Sequence, residues 1–576
     1  MVAERLLRLA SLLPLLALVA CGGQTSETGE RGADGSDTPK PPMSKPASVC
    51  GDRLGQARPF GVVTLEAQRT ARNACGDVAF VDASGGVWAE RIEMSAPTKV
   101  GSVPPSLVAG TRLALSHTGK YLAYSSDDGV HQVALDVREA EQIFAADQGD
   151  DIGFAHSAAD GVIPPADTLV LCGKARGLRS SSLAPAQTTG ECTGLLTGPG
   201  PFAVARIGSG DRPQIVSLEV SSGAVHGFAE LTEEATSGGS VSGPSVALSL
   251  SMDGHTLLVE RTEIEASGDY FARTNLTVQL VFLPTHTTGV PFALQWGQVG
   301  NLSVRDFFAP AGPHRLAFAG YQSALWQDVA GVSHTTTRTK LLTIDPAGTD
   351  GIFLDSRDKT GALLRAPLVS GGTTVPATIL STNVGEARGS DDLAHLVVAK
   401  IPTDGVRYPD KPSVSHAQLW EVARLDALGE TVFATSTQPL SPLWVGEDGA
   451  SIVRGALADV PLPKVSAPEN MPPETYGFHA FDATGSRLRS VSLPDAQTIR
   501  SARRGLVVDH FRVDEGYRFH FVSAAGEAIP LASAGASALG SVEERFFDAA
   551  GEILVATGAG RGAVATRVVL AGALPR

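Results

Sequence analysis

The chain has little charge, few aromatics and no long apolar run after its first twenty residues. Only 19% of its 576 residues are charged and 6% aromatic. A helix crossing a bilayer needs about 20 apolar residues; no stretch beyond the N-terminus approaches that, so a helical membrane domain is excluded. No long segment repeats apolar residues at the helical period of 3.6, so helical domains are excluded too. Basic runs are missing and the net charge is −15, which argues against nucleic acid, whose binding is dominated by Lys and Arg contacts to phosphate.

Motifs that carry chemistry are equally scarce. The 13 histidines occur singly, with no His-Glu-x-x-His and no His-x-His. No cysteine pair has the short C-x-x-C spacing of a metal clip. Gly239-Ser240-Val241-Ser242-Gly243 is similar to a nucleophile elbow but puts valine where the nucleophile belongs. Gly558 to Gly562 lacks the lysine of a phosphate loop. The acidic clusters Asp147 to Asp151 and Asp127-Asp128-Gly129 do not follow calcium-loop spacing and read as exposed turns. No catalytic residue, metal site or cofactor is predicted, and the chain is not read as an enzyme.

One histidine pair needs weighing. A three-residue turn at Asp514-Glu515-Gly516 places His510 opposite His520, and Arg512 opposite Arg518. Flanking arginines repel a metal cation, so this face is read as a solvated polar one.

What is present is a recurring unit. A turn of small or acidic residues ending in glycine leads at once into a short apolar strand. Ser116-His117-Thr118-Gly119 precedes Tyr121-Leu122-Ala123-Tyr124, and Ser251-Met252-Asp253-Gly254 precedes Thr256-Leu257-Leu258-Val259. Further copies are Ala309 to Gly312, Gly446 to Gly449 and Asp548 to Gly551. A second turn of the type Phe481-Asp482-Ala483-Thr484-Gly485 follows downstream. Glycine supplies the turn's backbone freedom and the β-formers the strand. Spacings of about 50–60 residues suit propeller blades rather than solenoid repeats.

The phrase Ser-x-Asp-Gly-x-x-Leu, clearest from Ser251 to Leu257, resembles the TolB-like family of bacterial envelope propellers. The resemblance implies an all-β fold, a β-propeller over 57–576. Eight four-stranded blades are expected, with seven the alternative. The segment Phe60 to Thr64 is expected to close the ring against Val564 to Leu570. No catalytic residue is implied.

Five cysteines divide by position. Arg5, Arg8 and the apolar stretch Leu9 to Ala20 precede Cys21, and Leu18-Val19-Ala20-Cys21 resembles the lipobox of bacterial lipoproteins. In that family the preceding segment is removed and the cysteine is lipidated. This implies a signal peptide over 1–20, a lipidated cysteine and flexible tether over 21–56, and a cell-envelope address. Gly22 after the cysteine resembles outer-membrane sorting. Membrane contact is expected through the lipid alone. The segment from Gly22 to Ser48 is too polar to offset its ordering entropy and is expected to be disordered, spanning about 30 Å. The remaining four, Cys50, Cys75, Cys172 and Cys192, read as disulfides in an exported chain, with the local pairing preferred over the two others.

Function is expected in loops. Five segments read as long insertions between the second and third strands of successive units: 173–201, 262–275, 321–339, 400–417 and 456–475. They would form a wall on one face, with Tyr270, Trp326, Tyr408 and Tyr476 as candidate binding residues. Their charges are small and of both signs, which suits a mixed polar partner. The expected activity is therefore that of a monomeric, lipid-anchored scaffold binding an envelope protein or a glycan. A propeller hydrolase or lyase with a central-channel site is the first alternative, and a structural component without a specific ligand the second.

Overall fold

A computed structural model describes residues 61–575 apart from a set of segments, the longest being 158–165, 232–244, 295–314, 368–377, 403–418 and 463–471. A few residues before 61 are described too, Arg53 among them. The lipobox, Cys21, the tether and Cys50 lie outside the described residues. The chain divides into Met1–Met43 and Ser44–Arg576, and the second unit holds every described strand. Among the described residues no helix is long and apolar enough to cross a membrane.

The described strands form antiparallel sheets of neighbours in sequence, each an up-and-down meander. Tyr121–Ser125, for example, sits between Leu113–Leu115 and Val130–Ala134, with Gln142–Phe144 outermost. Ten sheets result, most of three or four strands. That exceeds the expected eight or seven. Part of the difference lies in residues 173–201, which read as one insertion but hold strands of two sheets, Gly177–Ser180 and Cys192–Thr197.

One sheet has seven strands because Gly61–Arg72 is shared. Its first half pairs with Arg567–Ala573, Gly61 opposite Ala571 and Thr64 opposite Val568; its second half pairs with Val78–Asp82. A register shift between Thr64 and Ala67 marks the bend. The two ends of the chain are thus stitched by backbone hydrogen bonds, as the sequence predicts.

The core consists of layers between successive sheets. Val81, Val87 and Ala89 meet Leu115, Leu122 and Tyr124. Further round, Val397 and Val422 meet Val453 and Phe481, and Phe519 and Phe521 meet Leu554 and Ala556. Val78 and Phe80 then pack on Ile553 and Val555, returning to the first sheet. Neighbouring residues on one strand serve different layers: Ile452 faces one sheet and Val453 the other. Strands buried on both faces therefore read as continuous apolar runs, and each fully buried aliphatic side chain contributes about 1.5–3 kcal/mol. A β-propeller is the architecture in which small sheets stack face to face and close.

The glycine phrases form the turns expected of them. The amide of Gly119 donates to the carbonyl of Ser116 at 3.0 Å, Gly254 to Ser251 at 2.9 Å, and Gly449 to Gly446 at 3.0 Å. The Ser116 and Ser251 hydroxyls each accept the amide five residues on, both at 2.9 Å. Gly119 has φ +71°, and a Cβ there would sit 2.0 Å from an Asp77 carboxylate oxygen, so only glycine fits. The copies at 309–312 and 548–551 lie outside the described residues.

Candidate functional site

The five expected insertions do not share one structure. Segment 262–275 lies between second and third strands, but as the extended hairpin of Thr256–Ser267 and Phe271–Phe282 rather than a loop. Segments 400–417 and 456–475 join Leu396–Lys400 to Trp420–Asp426 and Ser451–Ala458 to Glu474–Phe481, again second to third strands. The other two are corrected. Segment 173–201 contains the strands Gly177–Ser180 and Cys192–Thr197 and links two sheets. Segment 321–339 contains Ser323–Gln327 and Ser333–Thr337. Runs of Ser and Thr read as loop by polarity, whereas β-branched Thr is also a strand former.

Of the four candidate aromatics, Tyr270 and Tyr408 lie outside the described residues, and Trp326 sits on a strand, in register with Leu316 and His334. Tyr476 is 55% exposed beside the 456–475 connection. The Arg454 guanidinium lies 5.6 Å from its ring centroid and 5.9 Å from that of Phe478. An exposed aromatic face held by a cation is a fitting contact for a polar partner or a sugar ring. The same strand begins at Glu474, whose carboxylate accepts the Thr437 amide at 2.8 Å and hydroxyl at 2.6 Å.

Two histidine–carboxylate clusters were invisible in the sequence, because the partners come from different strands. In the first, His131 Nε2 lies 2.6 Å from Asp128 and Nδ1 2.8 Å from Glu141, with the ring stacked on Tyr124 at 4.8 Å. The Tyr124 hydroxyl donates to Glu141 at 2.9 Å, and burial with that carboxylate pushes its pKa up. Both imidazole nitrogens are occupied, so neither is free to face a ligand.

In the second, His156 Nδ1 lies 2.8 Å from Asp167, whose side chain is 1% exposed. The Thr118 hydroxyl donates to the same carboxylate. Burial pushes the Asp167 pKa up, but the bonds from His156, Thr118 and Ser116 prevail and hold it below the usual range. Ser, His and Asp are thus together, but Ser116 bonds the carboxylate, is fully buried, and accepts the Tyr121 amide. A nucleophile must bond the imidazole; this arrangement works as a strut between two sheets.

The strut continues through the Thr118 carbonyl, which accepts from Arg53 Nη1 at 2.6 Å. Arg53 also pairs with Asp77 and, at 2.9 Å, with Glu93. Asn73 Nδ2 donates to Asp77 at 2.7 Å and to the Ser116 carbonyl at 2.9 Å.

The His510–His520 register is corrected. His510 lies opposite Arg518, and His520 opposite Val508. Arg512 pairs with Gly516, which begins the third strand at φ +76°, so the three connecting residues are 513–515 rather than 514–516. A shift of two positions keeps both histidines on one face, their rings edge-on at 4.8 Å. Among the described residues no three His, Cys, Asp or Glu side chains are grouped to hold a metal.

Cys172 and Cys192 are joined, with Cα atoms 5.2 Å apart. Both are buried in one apolar layer with Val170 and Ala203, so the bond staples two successive sheets rather than pinning a loop. Cys75 is also disulfide-bonded.

No family model matches this chain, and no curated protein matches it. Solved structures similar to it are β-propeller proteins. TolB from Acinetobacter baumannii is 11% identical over 54% of this chain and 79% of its own, with a TM-score of 0.25. The β-propeller domain of the Trilobed protease from Pyrococcus furiosus is 10% identical over 66% and 94%, TM-score 0.30. The WD40 domain of SCAP from fission yeast is 9% identical over 81% and 98%, TM-score 0.31. Peptidases and a lyase also occur among the similar structures. The stacked antiparallel sheets and their closing ladder make the chain an all-β propeller.

Proposed function

We propose that this chain is a lipid-anchored cell-envelope propeller that binds another envelope protein or a glycan through connections between second and third strands. The observation that carries the reading is Tyr476, exposed beside one such connection and held by Arg454. Scaffold packing does not require an exposed aromatic there, and tyrosine and arginine are enriched among the residues that carry binding energy at interfaces. The lipobox-like Leu18 to Cys21 supports the membrane address. Rigid sheets support variable connections that can contact a partner without disturbing the ring.

The test is crosslinking in intact cells followed by mass spectrometry, comparing the native chain with Tyr476→Ala and with a chain whose residues 463–471 are replaced by Gly and Ser. Loss of one or more specific crosslinked species in both variants is expected. An unchanged crosslink profile in both would overturn the reading. Cys21→Ser is expected to move the chain from the membrane to the soluble fraction; retention at the membrane would remove the lipid anchor from the proposal.

A further inference from the structure

The layer between the sheet holding Ser451–Ala458 and the sheet holding Gly505–Arg512 changes character along its length. At one level it is apolar: Trp444, Ile452 and Phe478 meet Leu506, Val508 and Val522. The indole of Trp444 donates to the Ala502 carbonyl at 2.9 Å across the same layer. Strand alternation then dictates what lies two residues further toward the second-to-third-strand connections. On one side come Arg454 and Tyr476, on the facing side His510, His520 and, one step beyond, Arg518.

The charge balance of this stretch is one-sided. Glu474 shares the strand of Tyr476 but is turned to Thr437. Asp509 lies on the opposite face of its strand from Val508 and His510. Arg454 Nε and His520 Nδ1 are buried without a hydrogen-bond partner. A buried hydrogen-bonding group left without a partner costs about 1–3 kcal/mol. Burial, His510 and the Arg518 charge push the His520 pKa down, as expected where positive charge is already in excess. This end of the layer disfavours cations and favours an oxyanion, which accepts from a guanidinium N–H and from an imidazole N–H.

We propose that this end of the layer is a binding site for an oxyanion, a carboxylate or phosphate group on a small molecule or sugar, held by Arg454 and His520 beside the exposed Tyr476. The inference does not rest on the envelope-binding reading. A chain that crosslinks to no partner could still bind the anion, and one that fails to bind it could still have a partner.

Isothermal titration calorimetry of the full chain with inorganic phosphate and with glucuronate, using glucose as the neutral control, tests it. Saturable binding of at least one anion and none of glucose is expected, and the arm that binds identifies the group. Arg454→Ala should weaken binding about tenfold or more, the equivalent of one charge-assisted bond. Arg487→Ala, on the outermost strand of the same sheet and paired with Asp459, should leave it unchanged. His520→Phe provides a second removal should Arg454→Ala fold poorly. No saturable heat with either anion, or equal binding by the Arg454 and His520 variants, overturns the site.

Discussion

Val63 lies opposite Val569 in an antiparallel ladder that joins the start of the described strands to their end. Closure of the sheet stack depends on this pairing, since no covalent bond among the described residues links these two strands.

The ladder predicts sensitivity to proline. Val63→Pro removes a backbone donor and disrupts pairing in a sheet interior. The expected outcome is a fall in Tm with a loss of about 3 kcal/mol by urea denaturation, taking the cost of proline inside regular structure. The same change at Ala83, exposed at the second position of the turn that Gly85 closes onto Asp82, should cost far less.

The Cys172–Cys192 bond closes a segment with a sequence separation of 20. In the chain-entropy model a loop of this size contributes about 3 kcal/mol. The double variant Cys172→Ser, Cys192→Ser is expected to unfold at correspondingly lower denaturant, and adding reductant should lower the native protein's midpoint. A midpoint indifferent to both would show that the packing of these sheets needs no staple.

Asp167 gives a pH signature. Its folded pKa is depressed by His156, Thr118 and Ser116 against the opposing effect of burial. A depressed carboxylate contributes stability that is present above its unfolded pKa, near 3.9, and lost as pH falls through the folded value. Asp167→Asn should cost about 2 kcal/mol at pH 7, the order of a buried group left poorly bonded. It should also flatten the native stability profile below about pH 4. Equal acid sensitivity in native and variant chains would contradict this.

His479 acts in a higher window. It is fully buried, with Nδ1 2.8 Å from the Ser490 hydroxyl and Nε2 3.0 Å from the Gly455 carbonyl. Burial pushes its pKa down. The unfolded chain therefore binds the proton first, and stability falls as pH drops below about 6.5. His479→Gln is expected to lower stability at pH 8 while weakening its decline between pH 7 and 5, measured by denaturant midpoints.

Much of the fold was legible because its signals are local. The turns at Ser116 to Gly119 and Ser251 to Gly254 need glycine at fixed places, and the following apolar runs mark strands buried on both faces. Ring closure by residues near 61–64 and 568–571 was implied by the propeller resemblance, in which the first strand completes the last sheet. The sheet count was not legible, in part because residues 173–201 read as one insertion but hold strands of two sheets.

The site was less legible. Tyr476 could be singled out as an aromatic beside a polar insertion, but its exposure and the approach of Arg454 depend on cross-strand register. His156 with Asp167, and His131 with Glu141, meet only after strands pair. By itself the sequence determined strand, turn and glycine, since these follow from backbone sterics and side-chain shape within a few residues. Tertiary structure alone decided which histidine met which carboxylate and which cations faced each other across a layer. A two-residue slip such as that at Gly516 keeps a side chain's face but changes its neighbour, and no local preference fixes it.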